Sequence, residues 1–418
     1  MLTVKDLKGL EGKKVLVRVD FNVPHKGSEI SDDNRIRAAI PTIAELLNKG
    51  ARVVLMSHLG KVDWKKLKKG EKTQEDIDGQ MKKNDLAIAV EPLKLRLKEA
   101  LGRDVEVSFS KENRGEELAK AVKELKDGGV LLVQNTRYQP GEEKNDPELA
   151  KEWAGLVDAF VMDAFGSAHR AHASTYGVPE VLKGEGKQVA IGYLVEKEVN
   201  ALSRCVDIQK EDRPYVAILG GLKVSDKIQV IDTLLKKCDY IIIGGAMSYT
   251  FKKAQGEEIG SSFLDEGALD YAKKCLEEAH GRIILPVDAV ITDSFEPVEG
   301  RKVMICDGAI PQGFEGVDIG PKSMKKFQEV IAKAKMVFWN GPMGVFEQEE
   351  FQAGTKAVCE AIRDLSGKAF TVCGGGDSAS AVKQFGYKAD FSHVSTGGGA
   401  SLEMIQNDGH LPGIDIIR

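Results

Sequence analysis

The stretch Phe370–Ser378, with the sequence FTVCGGGDS, predicts a strand that turns through glycines into a helix. Its first residues are apolar or β-branched and favour a strand, and the run Ala379–Phe385 after the turn is helix-like. Glycine lets a backbone approach phosphate oxygens closely, and a helix N-terminus offers free N–H donors and a positive dipole end. Asp377 stands where a carboxylate can approach a metal ion held on phosphates. The stretch therefore predicts a phosphate site, with packing punctuation as the alternative interpretation of a single such turn.

Four more glycine turns of this kind lie in the second half of the chain, and their repetition favours phosphate binding over packing. They are ILGGLK (218–223), IIIGGAM (241–247), WNGPMGVFE (339–347) and STGGGAS (395–401). No G-x-x-x-x-G-K-[ST] is present, which excludes a P-loop. No G-x-G-x-x-G follows the first strand of either half, which argues against the alternative hypothesis of a dinucleotide-dependent dehydrogenase.

Length and composition predict a cytoplasmic protein of two or three domains. The chain has 418 residues, 42% hydrophobic and 29% charged, as is ordinary for a globular protein. Its net charge of −5 predicts no general affinity for nucleic acid. The first residues lack the apolar core of a signal peptide, and no apolar run approaches membrane-spanning length, so no membrane partner is expected. None of the six cysteines forms a C-x-x-C pair, which favours reduced structural thiols over a zinc site.

Short strands alternate with helices in the first half, which predicts a parallel sheet. Ligands of such sheets lie beyond the carboxyl ends of the strands, and the polar residues of this half stand there. They are Asp20, Asn22, His58, Lys61, Arg137 and Arg170, with Arg35 at the start of a helix. Each alone is typical of a solvated surface residue. Together they predict a basin for a small ligand with several phosphate or carboxylate groups.

The alternation restarts after a connecting helix near residues 196–202, so the sequence predicts two α/β domains. Each has a doubly wound, Rossmann-like parallel sheet; the domains span residues 1–190 and 191–403, and a hinge helix joins them. Lys223 and Lys227 stand one helical turn apart at the start of a predicted helix over 225–236, where positive charge opposes the helix dipole. Bound phosphates explain that placement, and two solvated lysines are the alternative.

Ten runs, in one order from end to end, resemble the phosphoglycerate kinase family. They are VLVRVDFNVP (15–24), DDNRIRAAIPTI (32–43), SHLG (57–60), EEKNDPE (142–148), DAFGSAHRAHAST (163–175), AILGGLKVSDKI (217–228), DIGP (318–321), WNGPMGVFE (339–347), GGGDS (374–378) and STGGGASLE (395–403). The resemblance implies reversible phosphoryl transfer between 1,3-bisphosphoglycerate and ADP, giving 3-phosphoglycerate and ATP with Mg²⁺. It also implies a monomer and a hinge-bending domain closure, with hinges near Glu196 and His393.

The resemblance implies site residues in each half. The first half holds the glycerate, with Asp20 and Asn22 at its carboxylate and hydroxyl end and with Arg35, His58, Lys61, Arg137 and Arg170 lining a basic patch. The second half binds the nucleotide, with Gly244, Gly245, Gly316 and Pro342 around the adenine and Glu347 on the ribose. The phosphates face Lys223, Lys227, Asn340, Gly374, Gly375, Gly376, Asp377 and Ser378, and Asp377 also holds the magnesium.

The same resemblance assigns the catalytic group to Arg35, Lys223, Gly376 and Gly399, with Lys223 and Arg35 converging on the phosphoryl group in flight. Phosphoryl transfer needs positioning and charge neutralisation more than a nucleophilic side chain, so these residue types suit it. The tail, residues 404–418, is expected to pack back on the first domain.

Four positions depart from the family's pattern. Lys61 replaces the usual arginine, and Gln134 replaces an acidic residue. Leu222 replaces a smaller residue, and Ser378 replaces a threonine. None of these replacements removes a group that the mechanism needs. Lys61 leaves undecided how this position contacts the substrate. The lysine-rich segment 61–83 is expected to be a solvated loop. A catalytically silent nucleotide-binding protein of the same fold is the alternative, and the intact Arg35, Lys223 and Asp377 argue against it.

Overall fold

The structure is a computed structural model that describes residues 1–418, and it contains two compact α/β units. The first unit comprises Met1–Val199 and His410–Arg418, and the second comprises Asn200–Gly409. The sequence predicts a boundary at residue 190, whereas these units divide inside the helix Tyr193–Val206. The helix itself is continuous. Its first half belongs to the first unit and its second half to the second.

The first unit is built on a six-stranded parallel sheet. Its strands, with those of a small hairpin, are β1 (Lys14–Val19), β2 (His25–Lys26), β3 (Glu29–Ile30), β4 (Arg52–Met56), β5 (Val107–Ser110), β6 (Val130–Val133), β7 (Ala159–Asp163) and β8 (Gln188–Ile191). The sheet order is β5-β6-β4-β1-β7-β8, and β2 pairs with β3. β1 is almost continuously buried, as a central parallel strand covered on both faces requires.

Helices cover this sheet. They are α1 (Asn34–Asn48), α2 (Trp64–Lys68), α3 (Gln74–Lys83), α4 (Val90–Leu101), α5 (Gly115–Glu124), α6 (Pro147–Ala154), α7 (Val178–Gly184) and the boundary helix α8 (Tyr193–Val206). Their apolar side chains pack with the strands into a buried core that includes Ile36, Leu93 and Val161. None of the helices of the chain combines the length and the apolar character needed to cross a bilayer.

The expectation of a loop over 61–83 is wrong, because α2 and α3 occupy most of that segment. Thr73 caps α3 by a reciprocal pair of hydrogen bonds with Asp76. The Lys72 ammonium lies 2.7 Å from Asp63 Oδ2. The ion pair therefore joins the residues that precede the two helices. Because α3 is capped by Thr73 and buries only Ile77, it lacks the apolar periodicity by which helices are predicted.

The second unit contains a six-stranded parallel sheet and a three-stranded antiparallel sheet. Its strands are β9 (Tyr215–Leu219), β10 (Tyr240–Ile243), β11 (Ile283–Ile284), β12 (Asp288–Thr292), β13 (Val303–Asp307), β14 (Glu315–Ile319), β15 (Met336–Asn340), β16 (Phe370–Cys373) and β17 (His393–Val394). The sheet orders are β11-β10-β9-β15-β16-β17 and β13-β12-β14. The apolar run of β13 belongs to the antiparallel sheet, because a local apolar pattern does not reveal which strand will pair with it.

The helices of the second unit are α9 (Ile228–Lys237), α10 (Met247–Ala254), α11 (Leu269–Ala279), α12 (Pro321–Ala332), α13 (Ala353–Arg363), α14 (Gly376–Gln384) and α15 (Gly398–Gln406). The predicted start of the first helix at Ser225 is too early, because Ser225–Lys227 forms a 3-10 turn before α9. Lys227 is therefore the N-cap residue of α9 and does not lie inside the helix.

The C-terminal tail lies on the first unit from His410 onward and ends in α16 (Pro412–Asp415). Gly413 N donates to Ala168 O at 2.8 Å, and Ile414 and Ile417 are buried. Residues 404–409 remain with the second unit, since α15 extends to Gln406.

Candidate active site

Four adjacent strands of the first unit carry polar residues to one edge of the sheet. Because β6, β4, β1 and β7 are parallel neighbours, their carboxyl ends lie side by side. The residues that follow these ends, with Arg35 in the first turn of α1, are called the basic basin here: Asp20, Asn22, Arg35, His58, Lys61, Arg137 and Arg170. The topology thus places the predicted residues of this half at a single edge.

Asp20 and Arg35 form an ion pair in the basin. Asp20 Oδ1 also accepts a hydrogen bond from Asn22 N at 3.1 Å. Burial favours the protonated carboxyl, but Arg35 and the Asn22 N–H hold the pKa of Asp20 below its ordinary value. Asp20 is therefore an anion at neutral pH that orients the Arg35 guanidinium.

Gly60 connects two other basin residues through its backbone. Gly60 N donates to Asn22 Oδ1 at 2.8 Å, and Gly60 O accepts from Arg137 Nη1 at 2.9 Å. Arg137 Nε is buried and has no hydrogen-bond acceptor. Because buried donors are nearly always paired, this N–H fits an anion bound in the basin.

Lys61 and Arg170 lie at the exposed side of the basin. The Lys61 ammonium makes no hydrogen bond or ion pair, and the residue is fixed only through its carbonyl, which accepts from Asn84 Nδ2 at 3.0 Å. The carbonyl of Arg170 accepts from Thr175 Oγ1 at 2.7 Å. The Lys61 ammonium is thus exposed to a ligand that enters from solvent.

The structure adds a buried residue that sequence reasoning missed. Arg18 lies inside β1 with 1% exposure, and its Nη2 is 3.2 Å from His58 Nδ1. Burial and the Arg18 guanidinium hold the pKa of His58 well below its ordinary value. His58 is therefore neutral at pH 7. The signal in the sequence was a charged residue within the apolar run VLVRV.

The glycine turn between β16 and α14 has the predicted strand–turn–helix form in the second unit. α14 begins at Gly376, so Asp377 and Ser378 lie in its first turn. Gly375 has a φ of +126°, and a Cβ there would lie 2.6 Å from Asn340 Nδ2. Only glycine fits this position, because both the backbone angle and the close approach exclude a side chain.

A second helix start lies against this turn. α15 begins at Gly398, where a Cβ would be 2.9 Å from Gly376 N, and Gly399 follows in its exposed first turn. The N-termini of α14 and α15 therefore present free N–H groups side by side, which favours anion binding. Ser378 is fully buried, and its hydroxyl accepts from Gly341 N at 2.9 Å. That hydroxyl therefore holds the turn in place.

Lys227 is half-buried beside the same turn. Its Nζ donates to Gly220 O and, at 2.7 Å, to Asn340 Oδ1. Burial lowers the pKa of Lys227 to about 8, although Asp377 and Asp226 partly oppose the shift. Lys223 and Asp377 are exposed and make no hydrogen bond or ion pair. Both charges are thus free to meet a ligand.

A cavity of about 190 Å³, called the base cleft here, lies in the second unit at the carboxyl ends of β9, β10 and β15. Its lining includes the predicted residues Gly245, Gly316, Pro342 and Glu347 and also Leu222, Tyr249 and Asp318, which were not predicted. A Cβ on Gly316 would overlap the Tyr249 hydroxyl, and one on Gly244 would lie 2.3 Å from Met343 Sδ. The glycines thus leave space between backbone and apolar side chains that can accept an aromatic base.

Comparison with known proteins gives one consistent result. The family model for phosphoglycerate kinase matches residues 4–408. The phosphoglycerate kinase of Latilactobacillus sakei subsp. sakei is 47% identical, over 99% of this chain and 98% of that protein. The solved structure of phosphoglycerate kinase from Coxiella burnetii is 36% identical with a TM-score of 0.81, covering 100% of this chain and 98% of that one. The crystal structure of phosphoglycerate kinase from Pyrococcus horikoshii is 31% identical with a TM-score of 0.78, and it also covers 100% of this chain and 98% of that one.

Proposed function

The chain belongs to the phosphoglycerate kinase family, and we propose that the basic basin, the glycine turns and the base cleft carry out the family's reaction in the roles that follow. The chain is a kinase whose phosphoryl acceptor is a carboxyl group, and its substrates are small molecules. It exchanges a phosphoryl group between 1,3-bisphosphoglycerate and ADP, giving 3-phosphoglycerate and ATP. The catalytically silent alternative is not favoured, since the match extends over the whole chain.

The glycerate occupies the basic basin in this proposal. Asp20 and Asn22 receive its hydroxyl and carboxylate end, and the guanidinium groups of Arg35, Arg137 and Arg170 take its charged oxygens, joined by His58 and Lys61. The unpaired buried Nε of Arg137 supports this role, because an anion supplies the acceptor that it lacks.

The nucleotide occupies the second unit. The base lies in the cleft lined by Gly245, Gly316 and Pro342, and Glu347 takes the ribose. Gly244 is not part of that lining and contributes by its close approach to Met343, which does line the cleft. Its phosphates extend toward Lys223, Lys227, Asn340 and the turn Gly374–Ser378, where the starts of α14 and α15 supply N–H donors. The adjoining helix starts, with no side chain between Gly398 and Gly376 N, are the observation that carries the proposal.

The transfer step needs charge neutralisation of the phosphoryl group. We assign it to Lys223 and Arg35 together with the N–H groups at Gly376 and Gly399. These groups donate hydrogen bonds and hold the oxygens in position, and no protein nucleophile takes part.

Magnesium fits the residues present as a cation carried on the nucleotide. Mg²⁺ is usually held by one or two carboxylates together with substrate phosphates. The exposed, unpaired carboxylate of Asp377 in the first turn of α14 suits that arrangement, and no cluster of three or more ligating side chains forms a cage of its own. When bound, Mg²⁺ neutralises charge on the phosphates.

The remaining proposals concern the whole enzyme. We assign it to the cytoplasm as a monomer in which the two units close on their substrates, with motion near Glu196 and His393. The glycolytic role of the family supports this assignment, as does the need to exclude water during phosphoryl transfer.

A coupled assay tests the proposed function. Purified protein with Mg²⁺, ADP and 1,3-bisphosphoglycerate is expected to form ATP in proportion to enzyme concentration. ADP binding by calorimetry without ATP formation would instead identify a silent nucleotide-binding protein.

A further inference from the structure

A buried chain of polar side chains runs behind His58 in the first unit. It consists of Glu142, Ser174 and Arg18, exposed by 0%, 0% and 1%, and His58 itself is 7% exposed. Burying two charged groups without water requires that every polar atom find a partner, so the hydrogen bonds of this chain are closely determined. We call it the buried relay.

Arg18 determines the proton position on His58. Its Nε donates to Ser174 Oγ at 2.7 Å, its Nη1 to Val19 O at 2.6 Å, and its Nη2 lies 3.2 Å from His58 Nδ1. Arginine offers only donors, so His58 Nδ1 must be the acceptor. A neutral imidazole with an accepting Nδ1 carries its one proton on Nε2.

Glu142 and Ser174 hold Arg18 in that position. Ser174 Oγ accepts from Arg18, so its single proton is free to go to Glu142 Oε2, 2.7 Å away. Ser174 N donates to Glu142 Oε1 at 2.8 Å. Glu142 is thus the buried carboxylate that balances the guanidinium, and its field opposes the lowering of the pKa of Arg18 by burial.

We propose that Glu142, Ser174 and Arg18 are positioning residues that fix His58 as the Nε2–H tautomer, so that it offers the basin a neutral N–H donor. The inference rests on the proposed role of the basin in glycerate binding. The charged groups around His58 are Arg18, Asp20, Arg35 and Arg137. Three of them are cations, so a neutral donor binds an anionic oxygen without adding to their mutual repulsion.

Nitrogen NMR tests the tautomer directly. The chain has seven histidines, so a sample labelled with ¹⁵N only in histidine gives few resonances, and His58→Gln identifies the signal of His58. We expect His58 to show an unprotonated Nδ1 and a protonated Nε2 in the free protein at pH 7. A protonated Nδ1 in the wild-type protein overturns the relay.

Ser174→Ala breaks the relay without removing a charge. We expect two changes: a mixture of His58 tautomers, and a KM for 3-phosphoglycerate raised about two- to tenfold, as loss of one ordered hydrogen bond implies, with kcat little changed. Ser110→Ala is the matched control, because Ser110 is also buried in the first unit but its hydroxyl bonds only to Glu112 O. Unchanged His58 resonances and KM in folded Ser174→Ala overturn the proposal.

A separate variant distinguishes failure of the relay from failure of the proposed glycerate site. A His58→Ala variant with an unchanged KM for 3-phosphoglycerate overturns the substrate-facing role of His58 and, with it, part of the proposed function. In that case the ¹⁵N spectra still decide whether the relay sets the tautomer. If Ser174→Ala does not fold, Arg18→Lys provides the second variant. Lysine keeps the charge but cannot reach both Ser174 and His58, so the same mixed-tautomer spectrum is expected.

Discussion

Lys61 is the basin residue for which the resemblance to the family implies an arginine, and the structure leaves its ammonium exposed and unpaired. An ammonium neutralises a phosphate but does not form the two parallel hydrogen bonds of a guanidinium. We expect Lys61→Ala to raise the KM for 3-phosphoglycerate about two- to fivefold at low salt and less at high salt. Lys61→Arg is expected to be neutral or to improve affinity.

Steady-state kinetics at two ionic strengths check this prediction. Lys65→Ala is the matched control, since Lys65 is an exposed lysine of the neighbouring helix α2. An unchanged KM in Lys61→Ala at low salt, or an equal effect in Lys65→Ala, would place Lys61 outside the substrate contact.

We expect Lys227, if it contacts the nucleotide phosphates as proposed, to make nucleotide binding depend on pH. Its pKa of about 8 lies below the ordinary lysine value, so a growing fraction is neutral as the pH rises from 7 to 9. Phosphates favour the charged form and raise the pKa on binding, so binding takes up protons and ADP affinity falls across that range. Calorimetry in buffers of different ionisation enthalpy measures the uptake.

A test variant and a control variant show whether Lys227 is the group that takes up the proton. Lys227→Met is expected to abolish the proton uptake, whereas Lys236→Ala, an exposed lysine of α9, is expected to retain it. Equal proton uptake in wild-type protein and Lys227→Met would show that another group titrates.

At the scale of elements, the sequence predicts the strands, turns and helices whose signals lie within a few consecutive residues. The strand, glycine turn and helix at 370–385 were predicted, because glycine chemistry and apolar runs act over a few residues. Arg18 was missed because its partner Ser174 is 156 positions away, and only the fold brings them together. The same reason applies to β13. Its apolar run can be read from the sequence, but its antiparallel pairing with β12 depends on the fold.

The buried carboxyl of Asp163, at the end of β7, accepts hydrogen bonds from the first turn of α8, and its titration can be measured. Asp163 Oδ1 accepts from Leu194 N at 3.1 Å and Val195 N at 3.4 Å, while its Oδ2 is buried without a partner. Burial raises the pKa of Asp163 to about 7. The folded protein therefore holds a proton between pH 4 and 7 that the unfolded chain lacks, and stability falls as pH rises through that window.

Asp163→Asn removes this pH dependence, because the amide keeps an accepting oxygen and carries no charge. We expect the variant to match the wild type near pH 5 and to exceed it at pH 8 by on the order of 1–3 kcal/mol in free energy of unfolding. Denaturant titrations at both pH values measure the difference. Parallel pH profiles for the two proteins would contradict the prediction.

At the scale of the molecule, each substrate is proposed to bind to a different unit. Hydrogen exchange on the full chain tests that division. We expect ADP with Mg²⁺ to slow exchange at the turn between β16 and α14 and around the base cleft, and 3-phosphoglycerate alone to slow it after β1, β4 and β6. Protection by ADP confined to the first unit would contradict the assignment. The sequence indicated the division, since the five glycine-rich turns described above lie in one half and the basin arginines lie in the other.

The central claim is that free positive charge, led by Lys223, stabilises the phosphoryl group in transfer, and Lys223→Ala tests it most directly. The measurement is kcat for ATP formation together with the Kd for ADP, with Lys236→Ala as the matched control. We predict that kcat falls about 10²- to 10³-fold, as loss of a transition-state donor typically causes, while the Kd for ADP changes much less. An unchanged kcat with a raised KM for ADP would contradict the account, because Lys223 would then bind only the ground-state phosphates.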